Sequence, residues 1–367
     1  MSLLSVLAAI AVLAVLIVVH ELGHFMAARS QGIHVNRFSI GFGPILWKYQ
    51  GSETEYALRG IPLGGYVGFP DDDPDSKIPA DDPNLLRNRP LLDRAIVISA
   101  GVIANLVFAY LLLVLQTGIL GVPEITYKLG VAVPQLAADT STAAAKAGIK
   151  AGDIILAIDG QPLLASEQAM TTLMKVIQDS PGQPLQLAIQ RQQDQVSLTI
   201  TPEASADGKS RIGVQLAPNA TVVRTRTLNI LAIGQSAAKE FERIVVLTIQ
   251  GFQQLFSHFD QAAKQVSGPV AIVAMGADIA RSDAIRLLQF AALISVNLAV
   301  INILPLPALD GGQLAFLLVE GLRGKPLSSR LQDGVMQTGL VLLLGLGIFL
   351  IVRDTTQLEG VQKLLSR

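Results

Sequence analysis

The stretch LLSVLAAIAVLAVLIVVHELGHFMAA, residues 3–28, decides how this chain folds and where its chemistry lies. It is apolar up to His20 and long enough to cross the hydrocarbon core of a bilayer, which takes roughly 20 residues. No Lys or Arg precedes the run and no convincing cleavage site follows it, which argues against a signal peptide. We therefore predict a retained transmembrane helix that carries the polar motif HELGH at its end.

The composition extends this prediction to the whole chain. Of the 367 residues, 50% are apolar and 16% are charged, and the mean hydropathy is +0.48, whereas soluble proteins carry about 25% charged residues. The net charge of −1 and the lack of a basic cluster argue against a nucleic-acid partner. Because the chain has no cysteine, a metal ion would have to be held by imidazole and carboxylate groups.

Three further segments are apolar for long enough to span a bilayer: residues 95–120, 287–318 and 335–352. Pro305 and Pro307 interrupt the second of these, so we expect a broken helix there. Lys and Arg are concentrated in the loop between the first two spans and in the loop between the last two. Both loops are therefore predicted to be cytoplasmic, which puts the termini and the long middle region outside.

The connecting segments differ in character. Residues 35–67 are punctuated by glycine and proline between apolar and aromatic residues, which predicts short strands. Residues 71–83 are acidic and contain prolines, which is typical of a flexible linker. Residues 231–258 have apolar side chains at every third or fourth position, with charges between them. This pattern predicts an amphipathic helix lying on the membrane surface.

The middle region has the composition of a small soluble α/β module. AAKAGIKAGDIILAID, residues 144–159, predicts a helix end, a turn and a strand, and residues 185–189 and 196–200 alternate as paired strands do. This module closely resembles a PDZ domain of the bacterial protease type. The predicted fold class is thus a multi-pass α-helical membrane protein of about four transmembrane helices, with a membrane-associated β-hairpin region and an inserted PDZ-like α/β domain. The predicted domains are residues 1–120, with two spans and the β loop; 121–205, PDZ-like; 206–285, a linker with the amphipathic helix; and 286–367, with two more spans.

The motif HELGH carries the chemistry. His20 and His24 are four residues apart, so on a helix both imidazoles project from one face and can share a metal ion. Glu21 lies beside the first of them, where it can take a proton from a metal-bound water. Zinc suits these ligands, and ionisable groups inside a membrane span are costly and usually functional. The alternative is that the three side chains only cap a helix at the level of the headgroups.

A catalytic zinc needs a third protein ligand. Asp310 is the best candidate because it lies in NILPLPALDGG, residues 302–312, within an otherwise apolar stretch. Irregular backbone at membrane depth is tolerated only where it is buried in protein or lines a wet cavity. Glu53 and Glu55 are the other candidates, but they lie in a polar loop and we expect them to be exposed. The alternative role for Asp310 is to cap the helix that follows it.

Several motifs together resemble the site-2 protease family, in particular its bacterial regulator-of-sigma-E branch. They are HELGHF on the first span, GFGP and GIPLGGYV in the first loop, GVIANLVFAY on the second span, SGPVAI, and SVNLAVINILPLPALDGG on the third span. The resemblance covers nearly the whole chain. It implies that zinc is held by His20, His24 and Asp310 and that Glu21 is the catalytic glutamate.

The same resemblance implies that the strands after the first span dip into the membrane and pair with substrate. Such pairing would satisfy the backbone groups that are freed when a helix is unwound. Gly64 and Gly65 are then candidates for substrate binding. Asn297 and Asn302 match polar positions of the family, and we expect one of them to hold substrate backbone or the oxyanion; the alternative is a hydrogen bond between helices. Gln313 departs from the family pattern, since many relatives have His there, and some relatives have two PDZ modules rather than one.

The predicted function is that of an intramembrane zinc metalloendopeptidase in a bacterial cytoplasmic membrane or a related plastid or thylakoid-type membrane. Its partners would be membrane lipid and transmembrane proteins already shortened by another protease, such as an anti-sigma factor or a remnant signal peptide. The PDZ-like domain would filter substrates by size or bind a peptide C-terminus. One alternative is a non-catalytic PDZ-bearing membrane adaptor with a structural metal site, against which an intact Glu21 argues. Another is an ion or metal transporter, which four spans without an inverted repeat disfavour.

Overall fold

The computed structural model describes residues 2–73, 75–136, 142–204, 210–257 and 266–357. These residues form two compact units. The membrane unit comprises the described residues up to Gly121 and from Thr227 onward, and the α/β unit comprises those from Val122 to Arg226. In chain order the elements are α1 (Leu3–Ser30), β1 (Arg37–Gln50), β2 (Glu55–Gly68), α2 (Leu91–Leu120), β3 (Val122–Leu136), α3 (Ala143–Ala147), β4 (Ile154–Ile158), β5 (Gln161–Pro162), α4 (Gln168–Gln178), β6 (Leu185–Arg191), β7 (Asp194–Ile200), β8 (Glu203–Ala204), β9 (Ser210–Arg211), β10 (Val214–Thr225), α5 (Ile230–Ser257), α6 (Pro269–Ser282), α7 (Arg286–Ile303), α8 (Asp310–Arg323) and α9 (Ser329–Gln357).

Four helices among the described residues are long and apolar enough to cross a membrane: α1, α2, α7 and α9. This confirms the four predicted spans. The segment predicted at residues 287–318 is two helices, because α7 ends at Ile303 and α8 begins only at Asp310. Pro305 and Pro307 lie in the gap, where the missing N–H groups and the fixed φ of proline prevent the helix from continuing.

The helix α2 is the central packing element of the membrane unit and contacts α1, α5, α7 and α8. Small residues let these helices approach closely: Ala109 of α2, Ala237 of α5 and Ala292 of α7 are fully buried in one cluster. On the other side, Leu16 of α1 packs against Phe290 of α7. Many large apolar side chains on the outward faces of the spans are exposed, as is expected of surfaces that meet lipid.

The strands β1 and β2 form a small bent sheet that packs on α1. Residues 37–40 run parallel to residues 55–58 and antiparallel to residues 65–68, while residues 45–50 run antiparallel to residues 55–59. The sequence predicted short strands here, and the structure has two strands of 14 residues each. Because their register shifts repeatedly, each long strand pairs as a series of short segments.

The acidic segment at residues 71–83 was predicted to be a flexible linker, but its carboxylates make specific contacts. Asp71 accepts hydrogen bonds from the backbone N–H groups of residues 86–87, at 3.0 and 3.2 Å. Asp73 accepts one from the side-chain amide of Asn36 at 2.8 Å. These bonds tie the segment to β1 on one side and to the approach to α2 on the other. Composition alone did not show that these carboxylates would find hydrogen-bond donors, and the flexibility of the segment stays a prediction.

The α/β unit is built on an antiparallel sheet with the strand order β10-β3-β4-β6-β7, and β5 pairs with β4. The sheet and its helices enclose a core that includes the fully buried Val131, Ile155, Leu173 and Leu187. The helix end, turn and strand predicted at residues 144–159 are present as α3, the following turn and β4.

The α/β unit is longer than the sequence predicted. The predicted boundary was residue 205, with a linker after it, whereas β10 returns to the sheet and pairs antiparallel with β3 at its edge. Strands far apart in the chain leave no local signal of their pairing, so composition alone could not place this boundary. The rest of the predicted linker includes α5, where the amphipathic helix was expected, and α6.

A buried ion pair fastens the turn before β4. Asp153 is 1% exposed and accepts hydrogen bonds from Arg191 at 2.7 and 2.8 Å and from the backbone N–H of Lys150 at 2.8 Å. Burial raises the pKa of the Asp153 carboxyl, but the bonds from Arg191 and Lys150 outweigh this effect and hold that pKa below its usual value. The carboxylate therefore stabilises the folded unit at neutral pH, and this contribution is lost as the pH falls through the lowered pKa.

Candidate metal centre

Three side chains from distant parts of the sequence meet in the membrane unit. His20 and His24 project from α1, and Asp310 is the first residue of α8. The Nε2 atoms of the two histidines are 3.2 Å apart, and they lie 3.2 and 3.4 Å from Oδ2 of Asp310. The three side chains are 12–14% exposed. The structure thus brings together the two motifs that the sequence singled out.

These atoms are arranged as ligands of one zinc ion would be. With zinc–ligand distances of about 2.0–2.1 Å, two tetrahedral ligands lie about 3.3–3.4 Å apart, close to the observed separations of 3.2–3.4 Å. Oδ2 of Asp310 is buried and has no hydrogen-bond partner among the described residues apart from the facing imidazoles. A buried carboxylate oxygen in that position calls for a cation. The residues therefore fit the metal.

One face of α2 forms a wall of this centre. Nδ1 of His24 lies 2.8 Å from the backbone carbonyl of Val97, so Nδ1–H can donate to that carbonyl and leave the lone pair of Nε2 facing the centre. One turn further along α2 is Gly101. A Cβ atom at this position would lie 2.3 Å from Nε2 of His24 and 2.7 Å from Cε1 of His20. Only glycine leaves room for both imidazoles at this level of the helix.

The turn between α7 and α8 presents Asp310 to the imidazoles. The backbone N–H of Ala308 lies 3.3 Å from the sulfur of Met336 on α9. Ala308 has a φ of 66°, a left-handed conformation that is uncommon for a residue with a side chain. The last span therefore supports the strained turn that precedes Asp310, the only carboxylate among the three candidate ligands.

Glu21 lies next to His20 on α1, and β2 passes directly against it. A Cβ atom on Gly65 would be 3.0 Å from Cγ of Glu21, which shows how closely the two backbones approach. Gly64 is adjacent in sequence but faces the ring of Phe42 instead. Of the two glycines predicted to bind substrate, Gly65 adjoins the candidate base and Gly64 does not.

The two predicted asparagines of α7 lie in different places. Nδ2 of Asn302 is 3.3 Å from Nε2 of His20, beside the position that a metal would take. Asn297 instead lines a cavity of about 450 Å³ together with residues of α5. Glu53 and Glu55 pair with Arg29 and Lys48, respectively, rather than with the histidines.

One residue at the centre was missed from the sequence. Asn105 of α2 is fully buried, and its Nδ2 lies 3.4 Å from Nδ1 of His20. A signal was available, because an asparagine within the apolar run GVIANLVFAY is costly in a membrane unless it has a partner. Sequence alone did not indicate which side chain that partner would be.

An HExxH helix that spans the membrane, facing a carboxylate from a broken helix of the same bundle, defines a class of protein: the membrane-embedded metallopeptidases. The sequence matches the model of peptidase family M50 over residues 8–346. The chain belongs to this family, the site-2 proteases, and it is a multi-pass membrane zinc metalloprotease. This confirms the resemblance that the motifs indicated and disfavours the adaptor and transporter alternatives.

Individual relatives agree with this assignment. The chain is 62% identical to a putative zinc metalloprotease of Nostoc sp., covering 99% of this chain and 100% of the relative. It is 48% identical to the chloroplastic membrane metalloprotease ARASP of Arabidopsis thaliana, over 98% and 81% of the two chains. It is 32% identical to the regulator of sigma-E protease RseP of Escherichia coli, over 93% and 96%. Among solved structures, the PDZ domain of an SdrC-like protein from Listeria innocua matches 24% of this chain and 92% of its own, with 27% identity and a TM-score of 0.21.

The contact of Gly101 with both imidazoles leads to a prediction. In a Gly101→Ala variant the new methyl group would overlap the two rings, so we expect the affinity for zinc to fall by about tenfold or more. Competition with a chromophoric chelator measures this affinity on the purified protein. Gly118→Ala is the matched control, because a Cβ on Gly118 of the same helix meets nothing within 4 Å. Unchanged zinc affinity in Gly101→Ala would contradict the geometry described here.

Proposed function

We propose that His20, His24 and Asp310 hold the zinc ion of this protease and that Glu21 is its general base. The substrates would be proteins whose transmembrane segments are cut within or beside the bilayer. The observation that carries this proposal is the set of three ligand separations, 3.2, 3.2 and 3.4 Å, with Glu21 next to the first ligand on a membrane-spanning helix. The distribution of Lys and Arg in the loops favours a site toward the cytoplasmic side.

The residues of the chain divide the chemistry between them. Bound zinc would polarise the scissile carbonyl and lower the pKa of a water molecule, making hydroxide available near neutral pH. Glu21 takes the proton from this water and passes it to the leaving amine. The amide of Asn302, beside Nε2 of His20, is placed to donate a hydrogen bond to the carbonyl oxygen as negative charge develops there.

The substrate must be unwound before it can be cut, and β2 is placed to assist. The segment 65–68 pairs with residues 37–40. No other strand among the described residues pairs with it. An extended substrate could add to this edge and satisfy its own backbone groups. Because Gly65 adjoins Glu21, a strand added there would pass close to the base.

The roles of Glu21 and of the ligands can be separated by substitution. Glu21→Gln removes the base but no ligand, so we expect the cleavage rate to fall by about 10²–10⁴-fold while the zinc content stays at that of the wild type. The measurement is mass spectrometry of the products of a single-span substrate in proteoliposomes, together with elemental analysis of zinc. Glu53→Gln, an exposed carboxylate outside the centre, is the control and should leave both unchanged. Wild-type cleavage by Glu21→Gln would remove the proposed role of Glu21.

We further propose that the β1–β2 sheet is immersed in the membrane interface. Its exposed side chains include Ile45, Leu46, Trp47 and Tyr49, which are 44–68% exposed. Trp47 and Tyr49 stack with ring centroids 6.4 Å apart. Tryptophan and tyrosine are enriched where protein meets the headgroup level, since their rings are apolar with one polar end. An apolar aromatic surface next to α1 is therefore best explained by contact with lipid.

Trp47 is the only tryptophan of the chain, so its fluorescence reports on this sheet alone. In proteoliposomes we expect Trp47 to be quenched by phospholipids brominated on the acyl chain and to be shielded from iodide in the aqueous phase. A Trp47→Phe variant that also carries Leu164→Trp is the control, because Leu164 is an exposed residue of the α/β unit. Quenching of Trp47 by iodide but not by brominated lipid would show that the sheet lies in water.

We also propose that the α/β unit, which resembles a PDZ domain, binds the C-terminal residues of an extended peptide. A groove of about 550 Å³ lies between α4 and the strands β9 and β10. Its lining is mainly apolar, and β10 is the edge strand of the sheet. An extended peptide could pair with this edge while an apolar side chain enters the groove. The apolar side chains of the lining include Met170, Met174, Ile177, Ile212 and Leu216.

Peptide binding can be tested on the full chain in detergent. A fluorescent peptide that ends in leucine with a free carboxylate should bind more tightly than its C-terminally amidated form, measured by fluorescence anisotropy. Met174→Asp should weaken binding by about tenfold or more, because a carboxylate would be buried against the apolar end of the peptide. Leu164→Asp, on the same unit but outside the groove, should bind as the wild type does. Equal binding of both peptides would point to a unit that only filters substrates by size.

A further inference from the structure

Asn105 is an amide buried at membrane depth, and the proposed mechanism does not use it. Its exposed fraction is 0%, and its side chain approaches Nδ1 of His20 at 3.4 Å. Its Oδ1 is buried and has no hydrogen-bond partner among the described residues. A buried amide costs free energy in an apolar surrounding unless its hydrogen bonds are made. The one polar neighbour of its side chain that the structure shows is His20.

The position of Asn105 follows a repeat on α2. Val97, Gly101 and Asn105 are spaced by four residues and so lie one above the other on a single face of the helix. His20 and His24 are also four residues apart, on α1. The earlier residue on α2, Val97, lies beside the later histidine, His24, and Asn105 lies beside His20. Val97 meets Nδ1 of His24 at 2.8 Å, Gly101 faces both rings, and Asn105 meets Nδ1 of His20. Each imidazole thus has its own partner on α2.

A histidine that binds a metal through Nε2 needs a hydrogen-bond acceptor at its Nδ1. A neutral imidazole that offers the lone pair of Nε2 to a metal carries its proton on Nδ1, and that proton needs an acceptor. For His24 the acceptor is the carbonyl oxygen of Val97. For His20 the side chain of Asn105 offers one acceptor atom, Oδ1, which has no hydrogen-bond partner among the described residues. A half-turn of the amide exchanges Nδ2 and Oδ1 in almost the same space and places this oxygen at Nδ1 of His20.

The backbone at Asn105 is itself held in place. Ser295 of α7, which is fully buried, donates a hydrogen bond from its Oγ to the backbone carbonyl of Asn105 at 2.8 Å. This bond braces α2 against α7 at the level of His20. The hydroxyl of Ser295 bonds to the backbone of Asn105 and not to the imidazole of His20. A substitution of Ser295 is therefore a suitable control for the loss of a buried hydrogen bond.

We propose that Asn105 is a positioning residue for the metal centre: its Oδ1 accepts the Nδ1–H of His20 and so fixes the tautomer and the ring orientation that present Nε2 to zinc. This inference rests on the proposed ligand role of His20, but not on Glu21 or on proteolysis. Outer partners of metal-bound histidines typically change metal affinity by 10–100-fold when they are removed. Asn105 therefore acts on zinc affinity through His20 and does not touch the substrate.

The test compares the zinc affinity of three variants in the Glu21→Gln background, where proteolysis plays no part. Asn105→Leu keeps the volume but removes the acceptor, so its affinity should fall by about 10–100-fold. Asn105→Asp keeps an acceptor oxygen and replaces the NH2 group with a second, negatively charged oxygen, so its affinity for the zinc cation should equal or exceed that of the parent. Ser295→Ala, which removes a buried hydrogen bond to the backbone, should keep the parent affinity. Competition with a chromophoric chelator gives the affinities, and size-exclusion profiles identify any variant that fails to fold.

The two Asn105 variants together test whether zinc binding depends on the acceptor oxygen of this side chain. If Asn105→Asp binds zinc much more weakly than the parent, zinc binding depends on the NH2 group rather than on the oxygen, and the proposal is overturned. This outcome can be read even if Asn105→Leu does not fold. Parent affinity in a folded Asn105→Leu would overturn it as well. Wild-type cleavage by Glu21→Gln would refute the proposed base but would not change the zinc affinities of the Asn105 variants, so the two proposals fail separately.

Discussion

The close approach of α1 to α2 is the contact on which the rest of the structure depends. Two imidazoles cannot stand side by side in a bilayer unless a neighbouring helix both leaves room for the rings and accepts their outward N–H groups. Gly101 provides the room, and the carbonyl of Val97 can accept a hydrogen bond from Nδ1–H of His24. Lipid cannot supply these partners, so the neighbouring helix has to provide them.

The third candidate ligand, the carboxylate of Asp310, depends on a different feature, a break in a transmembrane helix. A continuous helix would satisfy its own backbone groups and offer no sharp turn from which to aim a side chain. Pro305 and Pro307 end α7, and the turn with Ala308 at positive φ restarts the chain as α8 with Asp310 at its first residue. The helical structure is thus interrupted between Ile303 and Asp310, and this break places the carboxylate of Asp310 next to His20 and His24.

The proposed functions fall on different compact units of the described chain. The membrane unit contains the candidate metal centre and the bent sheet that passes beside Glu21. The α/β unit has its own core and its own groove, as a module that recognises peptide ends would need. The proposed roles would place peptide recognition in the α/β unit and hydrolysis among the spans, where a low-dielectric interior strengthens electrostatic catalysis.

Some features could be predicted from the amino-acid sequence because they follow from helical periodicity, from the length of apolar runs and from the free-energy cost of burying polar groups. A spacing of four residues placed His20 and His24 on one helical face, long apolar runs located the four spans, and an aspartate within an apolar, proline-broken stretch pointed to Asp310. The contacts between distant segments became known only from the three-dimensional fold. It placed Asn302 and not Asn297 beside His20, brought Asn105 to the same ring, and returned β10 to the sheet of the α/β unit. Helical and strand periods report which side chains share a face, but the partner of that face is set by packing between segments far apart in the chain, of which a single sequence carries no local trace.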